Sequence, residues 1–222
     1  ARLEKNEFQK KNKYHYNIIK TLNTNSEFDI NKNILIVREQ GVGDEILFSS
    51  MYNNLIKNNF SKVKIECDKR LLEIFKRSFD ENIFVPYGYY SSSIKQIQEF
   101  DNILYAGSLT KYFRKKEKDF INNSYLKSSD NLDKKFKSIL GGFQDKKKIG
   151  ISWKSVFNIF GSLKSLKLND FKSLYSQERL FVNLQYGDSI KEINKFRESG
   201  KNIYTFDSNI SFQKLFRRCR FQ

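Results

Sequence analysis

Residues 34–50 read ILIVREQGVGDEILFSS. Ile34 to Val37 form a continuous apolar run, the pattern of a strand buried on both faces. Arg38, Glu39 and Gln40 follow, then Gly41-Val42-Gly43-Asp44, then an amphipathic stretch that reads as a helix. A strand that passes through glycine into a helix leaves free N–H groups and the positive end of the helix dipole at the carboxyl edge of a sheet. Ligands of open α/β sheets bind at that edge. The turn is not a P-loop, because Gly-Lys-Ser/Thr is missing. Nor is it a dinucleotide fingerprint, whose third glycine would fall at Ile46. Asp44 is the departure from both. A carboxylate at this place repels phosphate, and the helix dipole keeps it ionised. Two roles follow: a general base taking a proton from a hydroxyl, or a helix N-cap accepting from N–H groups of the first turn. The spacing leans to the cap and permits both.

From this stretch the pattern extends outward as alternating strands and helices. Residues 45–58 place Ile46, Leu47, Met51, Leu55 and Ile56 on one helical face. KVKIEC (62–67) is the next strand, KRLLEIFKRSF (69–79) a helix, NIFVP (82–86) a strand and NILYAG (102–107) a fourth, with a short helix near SLTKYF. Connections of this length force parallel pairing. NLDKKFKSIL (131–140) reads as a helix that Gly141-Gly142 ends as a C-cap. A second series begins after the charged QDKKK. KIGISW (148–153), LFVNLQ (180–185) and NIYTF are its strands. LNDFKSLYSQ and the stretch after Asp188, stopped by Gly200, are its helices. Residues 1–28 read as a separate helical segment. The reading is α/β: two doubly wound, Rossmann-like lobes, 29–145 and 146–222, the second truncated at about three strands against the ~5–6 of an ordinary sheet.

Composition narrows the chemistry. Hydrophobic residues make up 39% of the 222, enough for a packed core and against global disorder. Cys67 and Cys219 are too few for a disulfide framework, and the lone His15 leaves zinc chemistry and a Ser-His-Asp triad without their parts. No metal site is expected. The formal charge is +16, but the lysines are spread along the chain, and alanine occurs only at Ala1 and Ala106. That bias fits an AT-rich coding sequence, and no nucleic-acid motif accompanies it, so no specific nucleic-acid partner is expected. No apolar run approaches the ~20 residues of a membrane span, and the N-terminus has no apolar signal core. A cytoplasmic location is expected. The absence of an initial Met points to the interior of a longer protein. Arg217, Arg218 and Arg220 cluster oddly at the other end.

VREQGVGDEILFSS resembles the opening loop of the family 9 heptosyltransferases, and more closely the related bacterial glycosyltransferase-like domains that follow tetratricopeptide repeats. KVKIECDKRLLEIFKRSF, KKIGISWKS and RLFVNLQYGD resemble, in the same order, further segments of that family, so the resemblance covers about residues 30–206. It implies the two-lobed GT-B fold, with the acceptor on the first lobe and a nucleotide-sugar on the second. The N-terminal segment would then end a repeat array. By the resemblance Asp44 matches the proposed catalytic base, and Gly41 and Gly43 shape its loop. Ser152 and Lys154 match the place where a hydroxyl and a cation meet the donor diphosphate. The implied reaction moves a sugar from a nucleotide-sugar to a hydroxyl of a glycan, lipid-linked sugar or protein, with no cofactor beyond the donor. No D-x-D pair is present. The family's nucleotide-holding loop and helix have no counterpart before Gln222, so this stretch alone is expected to be inactive. The alternatives are a non-catalytic glycan- or protein-binding scaffold and, behind it, a basic nucleic-acid binder.

Overall fold

Four parallel strands make the first sheet of the computed structural model, which describes residues 32–58, 60–120, 123–155, 161–185 and 187–206. The expected helix over 1–28, His15, Cys219 and the terminal arginines lie outside these residues. The strands are β1 (Asn33–Val37), β2 (Lys62–Cys67), β3 (Phe84–Pro86) and β4 (Asn102–Tyr105), in the spatial order β3-β2-β1-β4. Ile34 pairs with Val63 of β2, and Val37 with Tyr105 of β4. This is the strand order of a doubly wound sheet, and the direction of winding reverses between β1 and β4.

The apolar run of β1 is buried on both faces because alternate side chains serve two cores. Ile34 and Ile36 join Tyr52, Leu55, Ile65 and Phe75 on one face. Leu35 and Val37 join Ile97, Phe100 and Ile103 on the other. Helices α1 (Val42–Ser49), α2 (Tyr52–Ile56) and α3 (Leu72–Ser78) supply the first core. The single turns α4 (Ile94–Ile97) and α5 (Thr110–Phe113) complete this unit. The helix expected over 45–58 is thus two helices. At the join, Ser50 and Met51 donate to the carbonyls of Leu47 and Phe48, three residues back, which tightens the turn. The tightening changes the phase, so Leu47 is 64% exposed while Met51 and Leu55 are buried.

The chain divides into two compact units between Asp130 and Asn131, earlier than the expected break near 145. Helix α6 (Asp130–Gly141) therefore runs almost wholly in the second unit, where Phe136 meets Phe206 at 5.0 Å. Neither Gly141 nor Gly142 takes the left-handed conformation expected of a C-cap. The chain goes on through a turn in which Phe143 donates to the Leu140 carbonyl. Strands β5 (Lys147–Ile151), β6 (Arg179–Asn183) and β7 (Ile203–Tyr204) are parallel and adjacent in that order. Residues 168–174 form 3₁₀ turns rather than the expected α-helix. Helix α7 (Ile190–Glu198) ends, as expected, at Gly200 with φ +78°. Ile151, Trp153, Leu168, Phe181, Ile193, Phe196 and Ile203 form this unit's core. Among the described residues β5 pairs with no strand on its other side, and Lys147, Lys148 and Gly150 are exposed. The whole is an α/β protein with parallel sheets. Among the described residues no helix is long and apolar enough to cross a membrane.

Candidate functional site

In the first unit the carboxyl ends of β1, β2 and β4 are where charge collects. Helix α1 starts at Val42, earlier than the sequence suggests, and this changes the role of Asp44. Gly41 is the capping residue, and Asp44 lies inside the first turn. Its Oδ2 reaches back to accept from the Gly41 N–H at 3.0 Å. The expected direction, an N-cap aspartate accepting from later N–H groups, is reversed. Among the described residues Asp44 Oδ1 has no hydrogen-bond partner, and the side chain is half-buried. Gly43 is exposed, and a Cβ there would meet nothing within 4 Å.

Just before the turn Gln40 has φ +62°, the only non-glycine residue among those described in the left-handed region. Such a conformation costs roughly 1–3 kcal/mol and needs support from its surroundings. Arg38 supplies it, donating from Nη2 to the Gln40 carbonyl at 3.0 Å. The same guanidinium donates from Nη1 to Asp68 Oδ2 at 3.0 Å and lies over the Tyr87 ring. Its Nε stands 2.7 Å from Glu45 Oε1. That last pair is close enough for strong attraction but too poorly aligned for a hydrogen bond, and neither atom has another partner. Glu45 is fully buried, and its Oε2 accepts from the Asp68 N–H at 2.9 Å. Asp68 is further held by Arg70, through Nε at 2.8 Å and Nη2 at 2.9 Å.

Burial drives the two carboxyl groups of this cluster apart. It pushes Glu45 up to about 7 against the opposing Arg38 charge. Burial also acts to raise Asp68, but the Arg70 hydrogen bonds and the two arginine charges outweigh it and hold Asp68 down at about 2. The signs give a prediction. Stability owed to neutral Glu45 is whole below 4.5 and is lost as pH rises through about 7. Stability owed to ionised Asp68 is whole above 3.8 and is lost as pH falls through about 2. Denaturant unfolding should therefore show the first unit losing stability between about pH 5 and pH 8, with a flatter slope in Glu45→Gln. An unchanged slope in the variant would assign the loss to other groups.

At the switch point, Glu39 Oε1 accepts from the Gly107 N–H at 2.8 Å, tying the end of β1 to the turn after β4. A Cβ on Gly107 would run into that oxygen and press on the Phe48 ring, so a larger residue would displace the Glu39 carboxylate from this place. Within β2, the fully buried Glu66 accepts from the N–H groups of Gly88, Tyr90 and Ser91 and from the Ser91 hydroxyl. It fixes the loop that leaves β3. The phenol of Tyr87, on that loop, is pushed up to about 12 by burial and by Glu66.

In the second unit Ser152 and Lys154 lie just past the carboxyl end of β5, as expected of their place after IGIS. Gln185 holds them there. Its Oε1 accepts from the N–H groups of Trp153 and Lys154, both at 2.9 Å, and its Nε2 donates to the Lys154 carbonyl at 2.9 Å. Ser152 Oγ is 3.3 Å from the same Oε1. Lys154 Nζ donates to the Asp188 carbonyl at 2.8 Å and pairs with Glu192 at 3.5 Å. Trp153 is core, and its indole N–H donates to Glu192 at 2.9 Å. Burial alone would raise Glu192, but the Leu168 N–H, the Trp153 indole and Lys154 together hold it below the usual range. The N-cap of α7 is Ser189 rather than the expected Asp188, which stands one residue earlier and accepts from the Ile190 N–H at 3.1 Å.

Of the expected site residues, Gly41, Gly43 and Asp44 share one turn of the first unit, and Ser152 and Lys154 the segment that follows β5 in the second. Sequence reasoning passed over Arg38, Glu39, Glu45 and Asp68. A signal was there: three of the four are among the first polar residues after an apolar strand. No family model matches the chain, and no solved structure does. A curated relative, Protein FlbA of Caulobacter vibrioides, is 26% identical over 183 residues, covering 73% of this chain. The chain spans about 30% of the length of that relative.

Proposed function

We propose that residues 32–206 belong to a GT-B-type glycosyltransferase that moves a sugar from a nucleotide-sugar to a hydroxyl acceptor, with Asp44 as the base. The observation that carries this reading is the split use of the Asp44 carboxylate. One oxygen fastens it to Gly41 at the carboxyl edge of β1, and the other has no hydrogen-bond partner among the described residues. A base must be held still and keep a lone pair for the incoming proton. In the proposed reaction the acceptor oxygen bonds to the anomeric carbon as Oδ1 takes its proton. The bond from that carbon to the donor diphosphate breaks, and the electron pair leaves with the diphosphate. In the second unit Lys154 and Ser152, fixed by Gln185, present a cation and a hydroxyl of the kind that stabilises a diphosphate leaving group. For this the lysine leaves the Asp188 carbonyl and keeps Glu192 as its neighbour.

The test is a panel of nucleotide-sugars with the full natural protein, read as release of nucleoside diphosphate. Release from one donor, stimulated by a polyhydroxylated acceptor, is expected. Glycan binding without release from any donor would replace this reading with the non-catalytic scaffold.

A further inference from the structure

We propose that Glu45 is a positioning residue for Asp44: ionised Glu45 holds Arg38, Arg38 holds the Gln40 carbonyl, and the Gly41–Asp44 turn tightens or loosens with the charge on Glu45. The catalytic consequence rests on the reading of Asp44 as a base. The mechanical link does not.

The geometry gives the link its parts. Arg38 has three polar attachments, each through a different nitrogen: Nε to Glu45, Nη1 to Asp68 and Nη2 to the Gln40 carbonyl. The Glu45 attachment is the undirected one, 2.7 Å in length but without a hydrogen-bond angle. It depends on charge and little else, so it responds most when a proton arrives. When Glu45 is neutral, Asp68 draws Arg38 toward β2, and Gln40 loses the donor that supports its left-handed backbone. Gln40 is followed at once by Gly41, whose N–H holds Asp44.

The surroundings leave Glu45 as the group that titrates. Arg38 faces it from the end of β1, and Cys67, Asp68 and Arg70 from the end of β2 and its loop. Tyr52 faces it from α2. Burial pushes Cys67 and Tyr52 upward, so both stay neutral, and Asp68 stays ionised. The burial that raises Glu45 supports the proposal by bringing its titration to about 7.

The experiment is an amide titration by heteronuclear NMR on the labelled protein, following Gln40, Gly41 and Gly43 between about pH 5.5 and 8.5, the range centred on the raised carboxyl. The three amides should shift together with one midpoint. In Glu45→Gln the shift should vanish while the rest of the spectrum keeps its dispersion. In Arg38→Lys, which keeps a charge but loses the fork that reaches Gln40, the Gln40 amide should cease to follow. Asp68→Asn covers the case in which Glu45→Gln fails to fold. It removes a negative neighbour and frees Arg38, so the midpoint should move to lower pH. Flat amides in the unmodified protein, a surviving titration in Glu45→Gln, or an unmoved midpoint in Asp68→Asn would each overturn the proposal. No turnover is needed, so the outcome is separate from the fate of the transferase reading. If that reading holds, kcat should rise through the same midpoint.

Discussion

Asp44→Asn in the full natural protein is expected to lower kcat by about 10²–10⁴-fold, the usual worth of a general base, and to leave folding intact. The amide oxygen of asparagine still accepts from the Gly41 N–H, so the tie that closes the first turn of α1 survives. What is lost is the second oxygen as a proton acceptor. Asp44→Ala loses both and should add a stability cost of about 0.3–1.5 kcal/mol, the range of a helix-terminus interaction. Comparing the two variants by turnover and by denaturant midpoint separates chemistry from capping. Turnover within a few-fold of normal in Asp44→Asn, with stability lost only in Asp44→Ala, would leave the carboxylate as part of the helix start and nothing more.

The sequence exposed the scaffold of this site more readily than its wiring. ILIV, KVKIEC, LFVNL and the glycine turn each have a local signature. A run of apolar residues cut off by charge, or a glycine before a helical stretch, can be read within a few positions. Each became the expected strand or turn. The helix over 45–58 failed because its break rests on two tightened backbone bonds at Ser50 and Met51, which carry no distinctive residue. LNDFKSLYSQ failed for a different reason. Leu168 is fully buried and donates its N–H to Glu192, so a long-range partner overrides the helical periodicity of the segment. The Arg38–Glu45–Asp68 cluster joins residues up to 30 positions apart. Only the pairing of β1 with β2 makes Asp68 a neighbour of Glu45. The same holds for Glu39 and Gly107, which meet because β4 lies beside β1. Reading the first polar residues after each apolar run, as a set, would have recovered most of this cluster.

Phe75→Ala is the substitution expected to cost the most stability. Phe75 is fully buried on α3, with its ring 5.5 Å from Phe84 and 5.8 Å from Tyr52. Truncating a buried phenylalanine costs about 3–5 kcal/mol, from lost burial and the cavity left behind. A domain has only about 5–15 kcal/mol in total. The loss should reach the site, because Asp68 and Arg70 stand directly before α3 and hold one side of Arg38. It should not reach the second unit, whose core cluster shares no residue with that of Phe75. The chain contains one tryptophan, Trp153, and it lies in that second core. Tryptophan fluorescence therefore reports the second unit, while far-ultraviolet circular dichroism reports both. In Phe75→Ala the denaturation curve followed by circular dichroism should acquire an early transition, with the fluorescence midpoint left where it is in the unmodified protein. If the two midpoints fall together, the units unfold as one body, and the first sheet and its site draw stability from the second.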